Sequence, residues 1–420
     1  MLSFARSWPL ALVAAATLLL AACGGGGQET SSGTPTKEPI KIGFMYDASG
    51  PAQQTLTPAR AGAADYVALV NKNGGVEGHP IELVDIEMGY DVARGVDAYE
   101  RMKREGVVAL YTAGTPVGVA VQDRCQQDQI VCVAYAAGVV QWSQGERFPY
   151  MFIGTASYWS ETAAAVDFAL KQWRGTGRPK IAFLYSDNPA GREPLDLINE
   201  LARREGFELR TFALPLTAVD AAAQATDIAQ RYRADWVIAQ VFARHPVLVW
   251  KAFRDAGYPL DRVLCLHWCV DEDIVTAVGG WQAMEGARFM GVHLTGTDSP
   301  VMRNIVKMYE EQGKTPPDFM TKSNTFYTRG LLIAAFMIEG IRNALKQGGE
   351  PVTGEKVRQG LEAIKGDMAG LGLINVQMSP TDHEGSGLVR VLQVRNGEFV
   401  PNTDWYSAYR DVIQELLRQR

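Results

Sequence analysis

The sequence predicts an α/β protein made of two doubly wound parallel-sheet lobes joined by a multi-strand hinge. Three observations carry that expectation. From Ile40 onward, apolar strand-like runs alternate with segments of helical period, the pattern of a parallel sheet. The series pauses near Gly154 and restarts with the same rhythm, so two lobes of similar size are the economical interpretation. Helices and strands then follow the second series, which implies that the chain returns to complete both lobes through several crossovers acting as a hinge.

Each element has its own reason. Ile40–Tyr46 is an apolar strand broken by Asp47-Ala48-Ser49-Gly50-Pro51. Ala59, Ala63, Tyr66, Val67 and Val70 mark one helix face, stopped by Asn73-Gly74-Gly75. Ile81–Ile86 is the second strand, and Asp91 is placed to cap a helix running to Glu105. Val107–Tyr111, a helix with Val117, Val121 and Cys125 on one face, and Ile130–Ala136 form a βαβ unit. Its two strands end in residues with little side chain, Gly114-Thr115 and Ala136-Ala137-Gly138. Ligands of open parallel sheets bind beyond the carboxyl ends of strands, and a helix starting at Thr115 would offer N–H groups to an anion there.

The second series runs through a helix Ser160–Trp173, strand Ile181–Tyr185, helix Glu193–Arg204, strand Leu209–Leu214 and helix Ala221–Tyr232. Strand Trp236–Phe242, helix Val247–Ala256 and strand Val263–Trp268 follow. Gly291–Leu294 is a short crossing segment; Val301–Gln312, Thr325–Lys346 and a segment from Thr353 to Ile364 read as helices. Leu388–Val394 and Glu398–Val400 are strands around the turn Asn396-Gly397. The expected lobes are residues 39–157 with 291–370, and 158–290 with 371–420.

The chain has 420 residues, 47% hydrophobic and 21% charged, with net charge −6, a soluble globular composition without the basic patch nucleic acid demands. Residues 1–22 read as a signal peptide: Arg6 supplies a positive start and Leu10–Leu20 an apolar core too short to span a bilayer. Leu20-Ala21-Ala22-Cys23-Gly24 then looks like a bacterial lipobox, with Cys23 lipidated. Residues 23–38, rich in Gly, Ser, Thr and Pro, cannot bury a core and form a tether. Its fifteen residues from Gly24 to Glu38 reach roughly 50 Å when extended. The expected location is outside the cytoplasm, on a bacterial membrane through the lipid alone.

An exported protein with four further cysteines fits two disulfides, Cys125–Cys132 and Cys265–Cys269. Residues four apart in a strand are too distant to bridge, so the second pair needs a bend at His267. Cys265, His267 and Cys269 could hold a metal, but a fourth ligand is not evident, and neither metal nor cofactor is expected.

No enzymatic constellation is found. There is no P-loop, no GxGxxG after the first strand, no GxSxG at a strand-to-helix turn and no HExxH. His383 lies in Ser379-Pro380-Thr381-Asp382-His383-Glu384-Gly385, which reads as a polar β-turn, and Asp271-Glu272-Asp273 reads as an acidic helix start. The conspicuous residues are aromatic: Tyr135, Trp142, Tyr158, Trp159, Phe242, Trp268 and Tyr327 lie at or just past strand ends or lobe junctions.

Ile40-Lys41-Ile42-Gly43 leading to Ser49-Gly50-Pro51, Ala61-Gly62-Ala63, Asn71-Lys72-Asn73-Gly74-Gly75-Val76-Glu77-Gly78, and Gly330 with Ala334 after Tyr327 together resemble the periplasmic solute-binding proteins of the leucine/isoleucine/valine-binding type, the type I fold that serves ATP-driven importers. The resemblance covers roughly nine-tenths of the chain. It implies a monomer that closes on a small molecule between its lobes and presents it to a membrane permease and its ATPase. It places a ligand carboxylate at Gly114-Thr115 and Ala136-Ala137-Gly138, and second-lobe aromatic contacts at Tyr158 or Trp159 and Phe242. Two positions depart from the family pattern. Ala190-Gly191 stands where an aromatic-Gly is common, and His267-Trp268-Cys269 stands where amino-acid binders carry the acid that holds an ammonium, with Asp271 further on. The expected ligand therefore has an aromatic or bulky apolar body and a carboxylate or carbonyl, with Trp268 and Tyr327 added to its contacts. A branched-chain amino acid or amide, and a sensory domain without transport, are the alternatives.

Overall fold

The computed structural model describes residues 36–420 except 295–298, 321, 323 and 369–372. The leader, Cys23 and most of the tether lie outside the described residues. Among those described, no helix is long and apolar enough to cross a membrane.

The first series is β1 (Ile40–Tyr46), α1 (Gln53–Lys72), β2 (Ile81–Glu87), α2 (Val92–Arg104), β3 (Ala109–Tyr111), α3 (Thr115–Asp128), β4 (Val131–Val133) and β5 (Met151–Phe152). The second is α4 (Tyr158–Gln172), β6 (Lys180–Ser186), α5 (Pro189–Arg192), α6 (Leu195–Glu205), β7 (Glu208–Leu214), α7 (Ala222–Thr226), β8 (Trp236–Gln240), α8 (His245–Asp255), β9 (Val263–Cys265), α9 (Glu272–Val278) and β10 (Arg288–Gly291). The chain ends with α10 (Pro300–Glu311), α11 (Thr325–Lys346), α12 (Gly354–Glu362), β11 (Lys365–Met368), β12 (Leu373–Gln377), β13 (Arg390–Arg395), β14 (Glu398–Pro401) and α13 (Arg410–Arg418).

Two main sheets form. One has the order β2-β1-β3-β4-β5 and is wholly parallel. The other has the order β14-β13-β10-β9-β8-β6-β7, parallel from β10 to β7, with β13 and β14 antiparallel on the far edge. The strands buried on both faces, such as Trp236–Gln240, are unbroken apolar runs rather than alternating ones, because helices cover both sides. After β10 the chain goes back to the first sheet. There α10 and α11 pack on α1, and α12 packs on α11 and beside β4. Gly62 and Gly330 make the α1–α11 approach possible: a Cβ on Gly330 would lie 1.7 Å from the Ala59 carbonyl oxygen, and one on Gly62 would lie 2.0 Å from that of Tyr327.

Three crossings join the sheets. One leaves β5, one leaves β10 and one includes His383–Val389. They are laced together. Ile153 and Gly154 donate their N–H groups to the His383 carbonyl at 3.0 and 3.1 Å, and Thr155 Oγ1 donates to the Val292 carbonyl at 3.1 Å. Glu384 accepts from Ser157 N–H at 2.7 Å and pairs with Arg410. Burial alone would raise the Glu384 carboxyl, but Arg410 and the serine donors outweigh it and hold it low.

The structure corrects several local expectations. The strand expected to run to Trp268 ends at Cys265, and a 3₁₀ turn at His267–Cys269 supplies the bend that brings the cysteines together. The helix expected over Glu193–Arg204 begins at Leu195, just after Pro194, and a separate short turn, Pro189–Arg192, capped by Asn188, precedes it. The second half of the expected Ala221–Tyr232 helix widens into a π-helix over Asp227–Tyr232. His383 is not in a solvated turn: it is fully buried, stacks on Phe152 at 3.8 Å, and its Nδ1 lies 2.8 Å from the Met151 carbonyl oxygen. Both disulfides are formed, with Cα–Cα distances of 6.2 Å for Cys125–Cys132 and 5.9 Å for Cys265–Cys269.

Candidate functional site

Both parallel sheets offer the carboxyl ends of their strands to one cavity of ≈ 270 Å³, close to the small end of the usual ligand-pocket range. Almost every lining residue follows a strand. Pro51, Ala52, Thr55 and Leu56 follow β1; Tyr90 follows β2; Tyr111, Ala113, Gly114 and Thr115 close β3 and open α3. Tyr158 opens α4 beyond the crossing that leaves β5, and from the other sheet come Ala190 after β6, Leu216 after β7, Phe242, Ala243, Arg244 and His245 after β8, and Trp268 after β9.

Local chemistry fixes these loops. Asp47 accepts from the N–H groups of Ser49, Gly50 and Ala52, which turns the chain sharply out of β1 and sets Pro51 at the cavity. Gly114 has φ +131°, and a Cβ there would come within 2.7 Å of the Tyr90 ring, so only glycine lets that ring lie against the strand end. Ala113, Tyr135 and Ala136 are left-handed at φ +49°, +45° and +53°. Strain of this kind, at the ends of β3 and β4, marks positions that the surrounding structure over-determines. Thr115 Oγ1 accepts from the Gly138 N–H at 3.1 Å and ties the two strand ends together.

On the opposite wall, Trp268 donates its Nε1–H to the Tyr158 hydroxyl at 3.1 Å. Ser186 Oγ lies 2.7 Å from His245 Nδ1. Ser186 is fully buried, so the pair anchors the β8–α8 turn rather than presenting a nucleophile. Burial lowers the His245 pKa and keeps it neutral. Burial also raises the Tyr90, Tyr111 and Tyr158 hydroxyls, which remain protonated donors.

Five of the sequence-predicted contacts line the cavity: Gly114, Thr115, Tyr158, Phe242 and Trp268. The other five lie elsewhere. The Ala136 N–H is spent on the Ile153 carbonyl and the Gly138 N–H on Thr115, while Ala137 packs behind Tyr158 and Phe242. Trp159 turns away from its neighbour Tyr158 and donates to the Glu193 carbonyl at 3.0 Å. The Tyr327 hydroxyl donates to Asp65 at 2.8 Å, on the α1–α11 seam. Trp142 fills the space beside Gly118 and Gly138 and donates to Gln122. Asp271 is outside the lining: it caps α9, accepts from Thr325 N–H at 3.2 Å, and burial pushes its pKa up to about 7. Tyr90 and Tyr111 were missed. The available signal was position, since each sits at the end of a parallel strand.

Among the described residues the lining contains five Tyr, Phe and Trp rings and no carboxylate, and Arg244 is its one fully charged side chain. No cluster of three or more metal-ligating side chains occurs among the described residues.

Two parallel sheets sharing one cleft, laced by three crossings, define a type I periplasmic binding protein. A family profile described as "Periplasmic binding protein" matches residues 39–398, and the chain belongs to that family. The family consists of extracytoplasmic binding proteins rather than enzymes. Among solved structures, a protein from the Pseudomonas fluorescens group described as an ABC transporter permease is 26% identical, with TM-score 0.81, over 91% of this chain and 95% of that one. A branched-chain amino acid ABC transporter protein from Thermus thermophilus with bound valine is 20% identical, with TM-score 0.76, over 90% and 98%. A fatty acid ABC transporter substrate-binding protein from Thermomonospora curvata is 18% identical, with TM-score 0.74, over 90% and 95%. The last two likenesses speak for the fold alone. A search of curated proteins finds no match.

Proposed function

We propose that this chain is a lipid-anchored solute-binding protein. It captures a small organic molecule with an aromatic or bulky apolar body between its lobes and delivers it to a membrane permease and ATPase. The observation that carries this reading is the lining itself: Tyr90, Tyr111, Tyr158, Phe242 and Trp268 surround the cavity, and among the described residues no acid lines it to hold an ammonium group. Flat rings give contact area with few torsions to freeze. The ligand contacts are Gly114, Thr115, Tyr158, Phe242 and Trp268 from the original set, joined by Tyr90, Tyr111 and Leu216. The polar end of the solute, a carboxylate or carbonyl, lies toward Thr115 and the tyrosine hydroxyls. The residues 39–157 with 291–370 form one lobe and 158–290 with 371–420 the other, and closure about the laced crossings is the state that membrane partners read.

The test is a thermal-shift screen of aromatic acids, amino acids, amides and larger lipophilic compounds, followed by calorimetry. Aromatic or bulky apolar compounds should stabilise the protein, and leucine and valine should bind weakly. Micromolar leucine or valine binding that survives Trp268→Ala would overturn the assignment of both the cavity and its chemistry.

A further inference from the structure

Behind the cavity wall lies a buried guanidinium without a counter-ion. Arg329, in the second turn of α11, is 1% exposed. It donates to the Tyr135 carbonyl, and its Nε and Nη1 find no acceptor among the described residues. No carboxylate of the described residues comes within ion-pair distance of it. Instead it is enclosed by rings. Its Cζ is 4.3 Å from the Trp268 ring centroid and 5.4 Å from that of Tyr135. Burial raises the Tyr111 hydroxyl, and the Arg329 charge pulls against that rise. Trp268 and Tyr111 both line the cavity, so the cation sits one side chain behind two of its walls.

One buried acid that feels its charge is already committed. Glu161 is fully buried, accepts from the His267 N–H at 3.0 Å and lies 2.6 Å from His267 Nδ1. Burial raises the Glu161 carboxyl and lowers the His267 imidazole, and Glu161 spends both of its oxygens on His267 rather than on Arg329. A buried charge with unused donors is costly unless something compensates it. The interior supplies rings and one carbonyl.

We propose that Arg329 is a positioning residue that makes the cavity select an anionic solute, acting through the polarised Tyr111 hydroxyl and the Trp268 face. This rests on the solute-binding reading above and deepens it: the solute class is an aromatic or bulky apolar carboxylate, not its neutral amide. Arg329 does not need to touch the solute, because a cation in a low-dielectric wall acts across a ring thickness.

The test uses phenylacetate and phenylacetamide as probes, a pair of similar shape that differs in charge. Calorimetry on the full chain should show the acid binding at least roughly tenfold tighter than the amide. Arg329→Met should reduce acid binding by roughly that factor and leave amide binding nearly unchanged, while Arg329→Lys should keep much of the preference. Tyr111→Phe, which leaves the core cation in place, should lose part of the same preference, and the two changes should not add. Equal binding of acid and amide by the wild type would leave the solute-binding reading intact and overturn the role of Arg329. An unchanged acid-to-amide ratio in Arg329→Met, or in Tyr111→Phe should the methionine variant not fold, would also overturn it. Failure of both probes to bind the wild type would overturn both readings for aromatic acids, and binding of the amide alone would overturn the role of Arg329.

Discussion

Gly330→Ala tests whether the seam between α1 and α11 sets the geometry of the cavity. In a helix interior this exchange normally stabilises by about 1 kcal/mol. Here the added Cβ would lie 1.7 Å from the Ala59 oxygen, 2.3 Å from its carbonyl carbon and 2.5 Å from its Cα. All three are backbone atoms of α1, so no rotamer change relieves the clash and the helices must part by roughly 1 Å. Overpacking of a core costs typically 1–3 kcal/mol, and a rigid backbone obstacle belongs at the upper end. The net loss expected is about 2 kcal/mol, which lowers the urea midpoint by about 1 M for an m-value near 2 kcal/mol/M. Gly340→Ala on the same helix is the control. Its Cβ meets the Leu361 side chain at 2.7 Å and the Val357 oxygen only at 3.3 Å, so a rotamer shift accommodates it and stability should change by less than about 1 kcal/mol. Thr55 and Leu56 in the first turn of α1 line the cavity, so Gly330→Ala should weaken solute binding as well. A Gly330→Ala protein as stable as wild type, or one less affected than Gly340→Ala, would refute the reasoning.

Four further outcomes are expected. Trp268→Ala should cost about 2 kcal/mol of solute affinity, roughly thirtyfold, whereas Tyr135→Phe should barely change it, because Tyr135 is outside the lining and its hydroxyl has no partner; titration calorimetry with the best screened ligand compares them. Thiol counting on the denatured, unreduced protein should find Cys125, Cys132, Cys265 and Cys269 all oxidised, and four reactive thiols would contradict this. Burial raises Glu193 to about 8 and Asp271 to about 7, and burial beside Glu384 raises Asp382 to about 6. Between about pH 4 and pH 8 these carboxyls therefore hold protons that the unfolded chain has released, a fall in stability with rising pH that the lowered His245, His267 and His293 oppose only below about pH 6.5. Urea midpoints should be higher at pH 5.5 than at pH 8, and Glu193→Gln should flatten the difference. Finally, Cys23→Ala should release the protein from membranes with unchanged folding, as fractionation and circular dichroism would show.

The sheets were readable because a parallel strand covered on both faces leaves an unmistakable apolar run, and strand ends carry the ligand-facing residues by topology alone. Which way a ring points was not readable. Tyr158 and Trp159 are adjacent at the start of α4, and one helical step sends the first into the cavity and the second toward Glu193. Tyr90 and Tyr111 look in sequence like any aromatic at the edge of a core. Trp142 shows the opposite error, since the glycines that receive its ring, Gly118 and Gly138, are distant enough in the chain to hide the fit. Arg329 was invisible because an arginine in an apolar helix ordinarily reaches solvent; only the packing of α11 under Trp268 and Tyr135 encloses it. His383 was read as solvated because its neighbours are polar, yet it begins a crossing and its own ring is buried against Phe152.

The chain's return path has a consequence for how such a gene can change. The strands β1–β5 lie in the first part of the chain, but the helices α10–α12 that cover them come from residues 300–362. Strands β13 and β14 complete the second sheet from beyond that point. No single cut separates the coding sequence into two pieces that each hold a complete sheet with its covering helices. Recombination that swaps one half of the binding cleft between related genes must therefore exchange at three crossings together. A single crossover would leave helices trained on one partner's glycine seam facing another's. Inherited variation in ligand preference is consequently channelled into point changes at the strand ends, where a new side chain meets the cavity without crossing the laced segments.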